Sequence, residues 1–491
     1  MYKAVVQVRN ERSVKGLREW TRGLLHAWDR VKGTCVTRMT LVYHRLRLSP
    51  RSALPRPSSQ YPNADAAARP PQPARSIRTG QPEPAGSDPT PAASKPRLLL
   101  VFFFFLLLLL LVFVSLLAVH RSNRGSPNAG APALSVYERG LVKADVAFRE
   151  ILAENARVSE NRSRRHFPNP VLAYVTPWNS KGYEMAKLFT SKFTHLSPVW
   201  YDLKSEGKNL VLEGRHNADV GWISELRKNG NSLVVPRVVL EAFPVEILLK
   251  KKRWSKAINL IVDECKEMGY DGIVLESWSR WAVYGVLNDP ELRNLGLQFI
   301  NQLGEALHSV NSKSNLNHQL ELIYVIPPSH SEKLSYHDFG PQDLQQLGTA
   351  VDGFSLMTYD FSGPQNPGPN APLKWIRASL EMLLGGADSE HAPKIFLGIN
   401  FYGNDFVLSG GGGAITGRDY ISLLEKHKPK LQWEEKSSEH FFVYSLNNVK
   451  HAVFYPSLMS ISLRLDEARA WGAGLSIWEI GQGLDYFFDL L

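Results

Sequence analysis

From about residue 166 onward, short apolar runs alternate with stretches whose apolar positions recur every three or four residues. The runs are 171–176, 193–201, 233–240, 272–277, 320–326, 353–359, 395–401 and 474–480. Each has the length of a strand, and the spacing between them predicts helices over 219–228, 253–268, 291–309, 373–384 and 458–471. Strand–helix alternation repeated eight times is the α/β pattern of a (β/α)8 TIM barrel. A doubly wound sheet gives similar alternation, so the period by itself leaves that fold open behind the barrel. One gap is too long for a simple crossover. Between Tyr402 and Ala470 lie the "SGGGG" run (409–413), a helical pattern near 417–427 and two strand patterns, 441–444 and 451–455. These predict a small α+β insertion, about 404–457, after the seventh strand.

The pattern before residue 166 is different. Residues 98–119, "LLLVFFFFLLLLLLVFVSLLAV", carry no charge over 22 positions. As a helix they would span roughly 33 Å, enough to cross a hydrocarbon core. The long tail upstream argues against a cleaved signal peptide, so the run reads as a single-pass transmembrane signal anchor. Residues 1–97 are basic and, from 50 on, rich in Pro, Ala, Ser and Arg, a composition that cannot bury a core and predicts disorder. Residues 120–165 read as a polar stalk with one amphipathic helix around 134–158. The barrel, 166–491, is expected to need nothing before about residue 160.

Charge follows the same division. The formal charge of +10 comes from the tail, where 18 Lys+Arg face 6 Asp+Glu; the rest holds 39 against 41. A near-neutral globular part argues against nucleic acid as its ligand. The basic excess before the span favours a cytosolic N-terminus. The barrel is then lumenal or extracellular, in a single-pass protein of the endomembrane system. There the sequon Asn161-Arg162-Ser163 could be glycosylated. With Cys35 and Cys265 on opposite sides of the span, no disulfide can form inside the globular part.

The ends of several predicted strands are aromatic or acidic. They comprise Tyr174 with "TPWN" (176–179), "YDGIVLESW" (270–278), "DGFSLMTYD" (352–360), "GINFYG" (398–403) and "GLSIWEIGQGLD" (474–485). In a barrel, strand C-terminal ends converge on one site. Aromatic faces stack on pyranose rings, and carboxylates accept hydrogen bonds from hydroxyls. No metal-ligand spacing, nucleotide-binding glycine loop or Ser-His-Asp order stands out, and no cofactor is expected. The "SGGGG" run lacks a following Lys-Ser/Thr and reads as a flexible loop.

Together with "YVTPWNSKGY" (174–183), "GPNAPLKWIR" (368–377) and "SIWEIGQGLDYFFDLL" (476–491), these motifs make residues 166–491 resemble glycoside hydrolase family 18, the chitinase fold, and its chitinase-like members. In that family the fourth strand reads D-G-x-D-x-D-x-E. The last Glu is the general acid, and the substrate's own N-acetyl oxygen attacks C1. On this sequence Asp271 and Gly272 match, Val274 replaces the first inner Asp, Glu276 the second, and Trp278 stands at the acid position. Met357, Tyr359 and Asp360 match the family's M-x-Y-D, and Trp478 matches the Trp that floors the subsite at the scissile bond. Positions 274, 276 and 278 are expected to share one face of the strand, which puts Glu276 about 6.6 Å deeper than the acid position. The resemblance therefore implies a chitinase-like lectin holding N-acetylglucosamine-containing, chitin-type oligosaccharides without cleavage. Its site would use Tyr174, Trp178, Glu276, Trp278, Met357, Tyr359, Asp360, Tyr402 and Trp478. Two alternatives stand beside it: an active glycosidase using Glu276 and Asp360, and a secretory-pathway scaffold for a protein partner.

Overall fold

The computed structural model describes residues 134–157, 161–313, 317–329 and 333–491. Residues 1–97 and the predicted span 98–119 lie outside them. Among the described residues no helix is long and apolar enough to cross a membrane.

The elements in chain order are α1 (Phe148–Asn155), β1 (Val171–Val175), α2 (Ser180–Leu188), β2 (His195–Glu206), β3 (Asn209–Glu213), α3 (Val220–Asn229), β4 (Leu233–Val234) and β5 (Arg237–Leu240). Then come α4 (Pro244–Leu248), α5 (Lys251–Met268), β6 (Gly272–Glu276), α6 (Trp278–Val283), α7 (Pro290–His308), β7 (Glu321–Ile326), α8 (Pro341–Leu347), β8 (Gly353–Leu356), α9 (Leu373–Leu384) and β9 (Ile395–Asn400). The insertion holds β10 (Gly403–Val407), β11 (Gly412–Ile415), α10 (Gly417–His427), β12 (Gln432–Glu434), β13 (Glu439–Leu446) and β14 (Val449–Phe454). The chain closes with α11 (Leu458–Ala470) and β15 (Gly474–Trp478).

Eight strands close on themselves in the order β1-β15-β9-β8-β7-β6-β5-β2, with β2 pairing back to β1. All these pairings are parallel, so the structure is a (β/α)8 barrel and the doubly wound alternative falls. The strands are apolar along their length because the barrel faces one packed core and the helices another. In β6 every residue but Glu276 is buried. Gly272 opens that strand with φ 148°, and a Cβ there would stand 2.2 Å from the Glu321 carbonyl oxygen. Only glycine allows the two strands to meet at that point. Its neighbour Asp271 is buried, accepting from the Val234 N–H (2.8 Å) and the Ser312 hydroxyl (2.5 Å), so this half of the D-G pair is structural.

The insertion is larger in sheet than expected: five strands, in order β11-β10-β14-β13-β12. The glycine run is not a flexible loop. It forms the turn and first residues of the β10–β11 hairpin. Gly412, at φ 91°, pairs with Phe406 where a Cβ would meet the Asp405 carbonyl at 2.1 Å. Runs of glycine hide a strand because they carry no apolar period to read.

The stalk reading is also corrected. Of the helix predicted over 134–158, the described residues form α1, Phe148–Asn155. Val136 and Ile151 are buried in the main core. The Val136 N–H donates to Asp489 (2.8 Å), as does the Asn161 side-chain amide (2.6 Å). Arg139 pairs with Glu154 at 2.6 Å, and the His166 N–H meets the carbonyl of the last residue, Leu491, at 2.6 Å. The segment before the barrel is thus seated on the chain's own C-terminus.

Candidate functional site

The C-terminal ends of β1, β5, β6, β8, β9 and β15 surround one mouth. Arg237, the first residue of β5, stands in register with Val274 on β6. Arg237 is 9% exposed, and its Nη2 donates to the Glu276 carboxylate at the end of β6. Its guanidinium lies over Trp478, with Cζ 5.2 Å from the ring centroid. Nη1 is buried without a hydrogen-bond partner. Trp478, half-buried at the end of β15, also contacts the Tyr174 ring at 5.2 Å between centroids. The Tyr174 hydroxyl donates to Ser355 at 2.9 Å. Burial pushes the Tyr174 phenol up to about 12, against the opposing pull of that hydrogen bond and of Arg237. Burial likewise raises Tyr359 well above the ordinary phenol range, while Arg237 opposes the shift. Arg237, Glu276, Trp478 and Tyr174 thus form one connected floor.

A second group follows β8. Met357 and Tyr359 are buried, and Asp360 turns into the left-handed region at φ 62°. Aspartate tolerates that conformation better than most residues, and its concentration at functional sites is well known. Asp360 is held there by its N–H to the Asn370 side-chain oxygen (2.7 Å) and by the Tyr402 hydroxyl, which donates to its carboxylate. Tyr359 and Tyr402 meet edge to face at 6.3 Å. Asp360 is exposed at the surface, with protein packed around its carboxylate. That enclosure raises its carboxyl above the usual range, and the Tyr402 hydrogen bond works against the rise. Asn370 is fixed in turn by Glu439 of β13, which accepts from the Asn370 and Ala371 N–H groups at 2.9 and 2.6 Å. Arg464 of α11 pairs with Glu439 at 3.3 Å. The insertion therefore buttresses Asp360.

Trp278 is not part of this mouth, and its expected role as a sugar platform is corrected. Strand β6 ends at Glu276; Ser277 leaves the extended region (φ −144°, ψ −27°), and Trp278 starts α6. Side-chain alternation holds only while the strand continues. The Trp278 ring is 1% exposed, packed against Phe339 at 5.0 Å with Arg293 over it at 4.8 Å. Its indole N–H donates to the His337 carbonyl at 3.0 Å.

Trp178 is 56% exposed, on the loop between β1 and α2. It belongs to a rim with Phe243, Tyr284, Tyr336 and Phe361, each at least 39% exposed on a segment following a barrel strand. Phe243 and Tyr284 meet edge to face at 5.1 Å. Below Trp178, Glu479 is buried, accepting from the Asn179 side chain (2.5 Å) and the Gly481 N–H (2.9 Å). Burial raises the Glu479 carboxyl to about 7 despite those bonds. Arg237, Ser355, Asn370 and Glu479 were missed by the strand-end reading. Ser355, Asn370 and Glu479 lie inside motifs already quoted, and Arg237 left the signal of a lone cation inside "LVVPRVVL" (233–240). Among the described residues no group of three or more His, Cys, Asp or Glu is placed to hold a metal ion.

The barrel and its mouth define a chitinase-like fold. Residues 245–483 match the family model described as Glycosyl hydrolases family 18, so that stretch of the barrel is similar to that family. Solved structures agree on the fold. The chitinase from Chromobacterium violaceum ATCC 12472 is similar with a TM-score of 0.54 and 23% identity, covering 66% of this chain and 98% of that one. The Bacillus cereus spore cortex-lytic enzyme SleL gives 0.53 and 18%, covering 73% and 84%. The GH18 chitinase from Cycas revoluta, solved in complex with (GlcNAc)3, gives 0.52 and 14%, covering 65% and 97%.

Proposed function

We propose that the mouth binds chitin-type, N-acetylglucosamine-containing oligosaccharides and does not cleave them. The observation that carries this is the fate of the strand that should supply the acid. Its last carboxylate, Glu276, is engaged by Arg237, and the next inward position is lost because Trp278 has left the strand. A general acid must reach the glycosidic oxygen at roughly 2.6–3.2 Å. The aromatic floor and rim suit stacking on sugar rings, and the ligand class is suggested by the complex formed by the similar plant chitinase.

Calorimetry with chito-oligosaccharides, paired with product analysis after long incubation, tests both halves. Binding without products is the expected result. Hydrolysis by the unaltered protein, lost in Glu276→Gln, would overturn it. A second reading, an acid-dependent glycosidase, draws on the raised carboxyl of Asp360; it requires hydrolysis that disappears in Asp360→Asn.

The uncharged run 98–119 supports a further part of the proposal, a membrane anchor with the barrel lumenal or extracellular. Resistance to alkaline carbonate extraction, lost when 98–119 is deleted, is the expected outcome.

A further inference from the structure

We propose that a cluster of cations on the mouth side of the barrel, outside the floor, is a docking surface for a sulfated polysaccharide. The cluster is Lys208, at the β2–β3 turn, with Lys250, Lys251, Lys252, Arg253 and Lys256 around the start of α5. The inference is independent of the chitin-type reading, since none of these residues lies on the floor.

The charge pattern singles the segment out. Residues 98–491 hold 39 Lys+Arg against 41 Asp+Glu, yet four cations stand in a row at 250–253. They also stand at the wrong end of a helix. A helix N-terminus carries positive partial charge and favours carboxylates. The first two turns of α5 hold Lys251, Lys252, Arg253 and Lys256 without one carboxylate, while Asp263, Glu264 and Glu267 lie in its second half. A local rule broken without a compensating contact points to a functional constraint.

The tertiary structure supplies no such contact. Lys208, Lys250, Lys251, Lys252 and Lys256 are exposed, and their ammonium groups have no hydrogen bond or ion pair among the described residues. Both carboxylates between 240 and 250 are taken, Glu246 by Arg253 at 3.1 Å and Glu241 by Arg280. Glu206, exposed at the β2–β3 turn, is one carboxylate against these lysines. Arg253 also donates from Nη2 to the Lys208 carbonyl at 2.8 Å, which fastens the hairpin turn beside the helix and joins the two segments into one patch. Barrel helices run antiparallel to the strands, so the start of α5 shares the face on which Phe243 and Tyr284 rise from the rim.

The same chemistry selects among polyanions. The free cations are all lysines, point charges on flexible stems that suit a repeating polyanion better than one bidentate anion. A lipid surface fits less well. Helices that lie on membranes bury an apolar face, whereas the apolar side of α5, with Trp254, Ala257, Ile258 and Ile261, is packed into the core. A sulfated sugar chain offers charge to the lysines and apolar ring faces to Phe243 and Tyr284.

The test uses the full chain and reads each lysine separately, because the basic tail also attracts polyanions. Exposed amines are acetylated with a limiting active ester, with and without heparin as the sulfated probe, and each site is quantified by mass spectrometry. Lys208, Lys250, Lys251, Lys252 and Lys256 should be protected about threefold or more at about 0.1 M salt, and no longer near 1 M, where the screening length has fallen from about 10 Å to about 3 Å. Lys426 and Lys450, exposed on the insertion, should not be protected, and fully desulfated heparin should protect none of these sites. With Lys250→Gln, Lys251→Gln, Lys252→Gln and Lys256→Gln combined, the protection of Lys208 should disappear. Heparin bound without protection of the cluster, Lys208 still protected in the folded variant, or equal protection by single-stranded poly(dT) or phosphatidylserine vesicles would each overturn the assignment.

Discussion

Arg237 lies over Trp478 in the barrel mouth, with the guanidinium carbon 5.2 Å from the centre of the indole. One residue opens β5 and the other ends β15, so the contact spans the barrel and is made only when the sheet closes. It holds Trp478, the half-buried member of the floor, between Arg237 and Tyr174.

Replacing Trp478 with Ala should weaken oligosaccharide binding by about 1–3 kcal/mol, the value of a buried, stacked aromatic ring. Calorimetry on a variant with an unaltered unfolding transition is the measurement. An unchanged affinity would remove Trp478 from the site.

Trp278 should behave as a core residue. Trp278→Ala is expected to lower stability by about 3–5 kcal/mol through cavity formation, seen in urea unfolding, with the affinity of the folded fraction unchanged. For the same reason Trp278→Glu should destabilise the protein and not create hydrolysis. The new carboxyl would lie against Phe339 and Arg293, away from the mouth.

Glu479 should make stability fall as pH rises. Its folded carboxyl is raised from 4.5 to about 7 by burial, so between these values the folded state binds more protons than the unfolded chain. The contribution is fully favourable below about pH 4.5 and is lost as pH climbs through 7, amounting to about 3 kcal/mol. Glu479→Gln should flatten this part of the stability profile measured from pH 4 to 8. Because Glu479 anchors Asn179 beside the exposed Trp178, oligosaccharide affinity should show a smaller change over the same range.

Chains beginning at 133 and at 166 should differ in stability. Removing residues 134–157 uncovers the surfaces that Val136 and Ile151 bury, about 3–6 kcal/mol for two such side chains, and strips Asp489 of its Val136 donor. Equal urea midpoints for the two chains would show that the segment does not stabilise the barrel.

The alternation of short apolar runs with helical stretches determined the fold class, and the observed elements follow it closely: a helix expected over 373–384 is α9, and eight expected runs are the eight barrel strands. Such periods are local, since a strand or helix buried on a given face must repeat apolar residues at its own spacing. The strand-end chemistry was legible in part for the same reason: Tyr174, Glu276 and Trp478 lie at the ends of runs whose limits can be read. What the tertiary structure alone decided depends on where those periods stop and on contacts far apart in the chain. Trp278 left the mouth because β6 ends two residues earlier and a helix turns it outward, a boundary the apolar pattern does not mark. Arg237 acquired its meaning from Glu276 and Trp478, partners 39 and 241 positions away. The glycine-rich hairpin and the segment around Val136 show no period of their own; pairing with β10 orders one, and contact with the C-terminus orders the other.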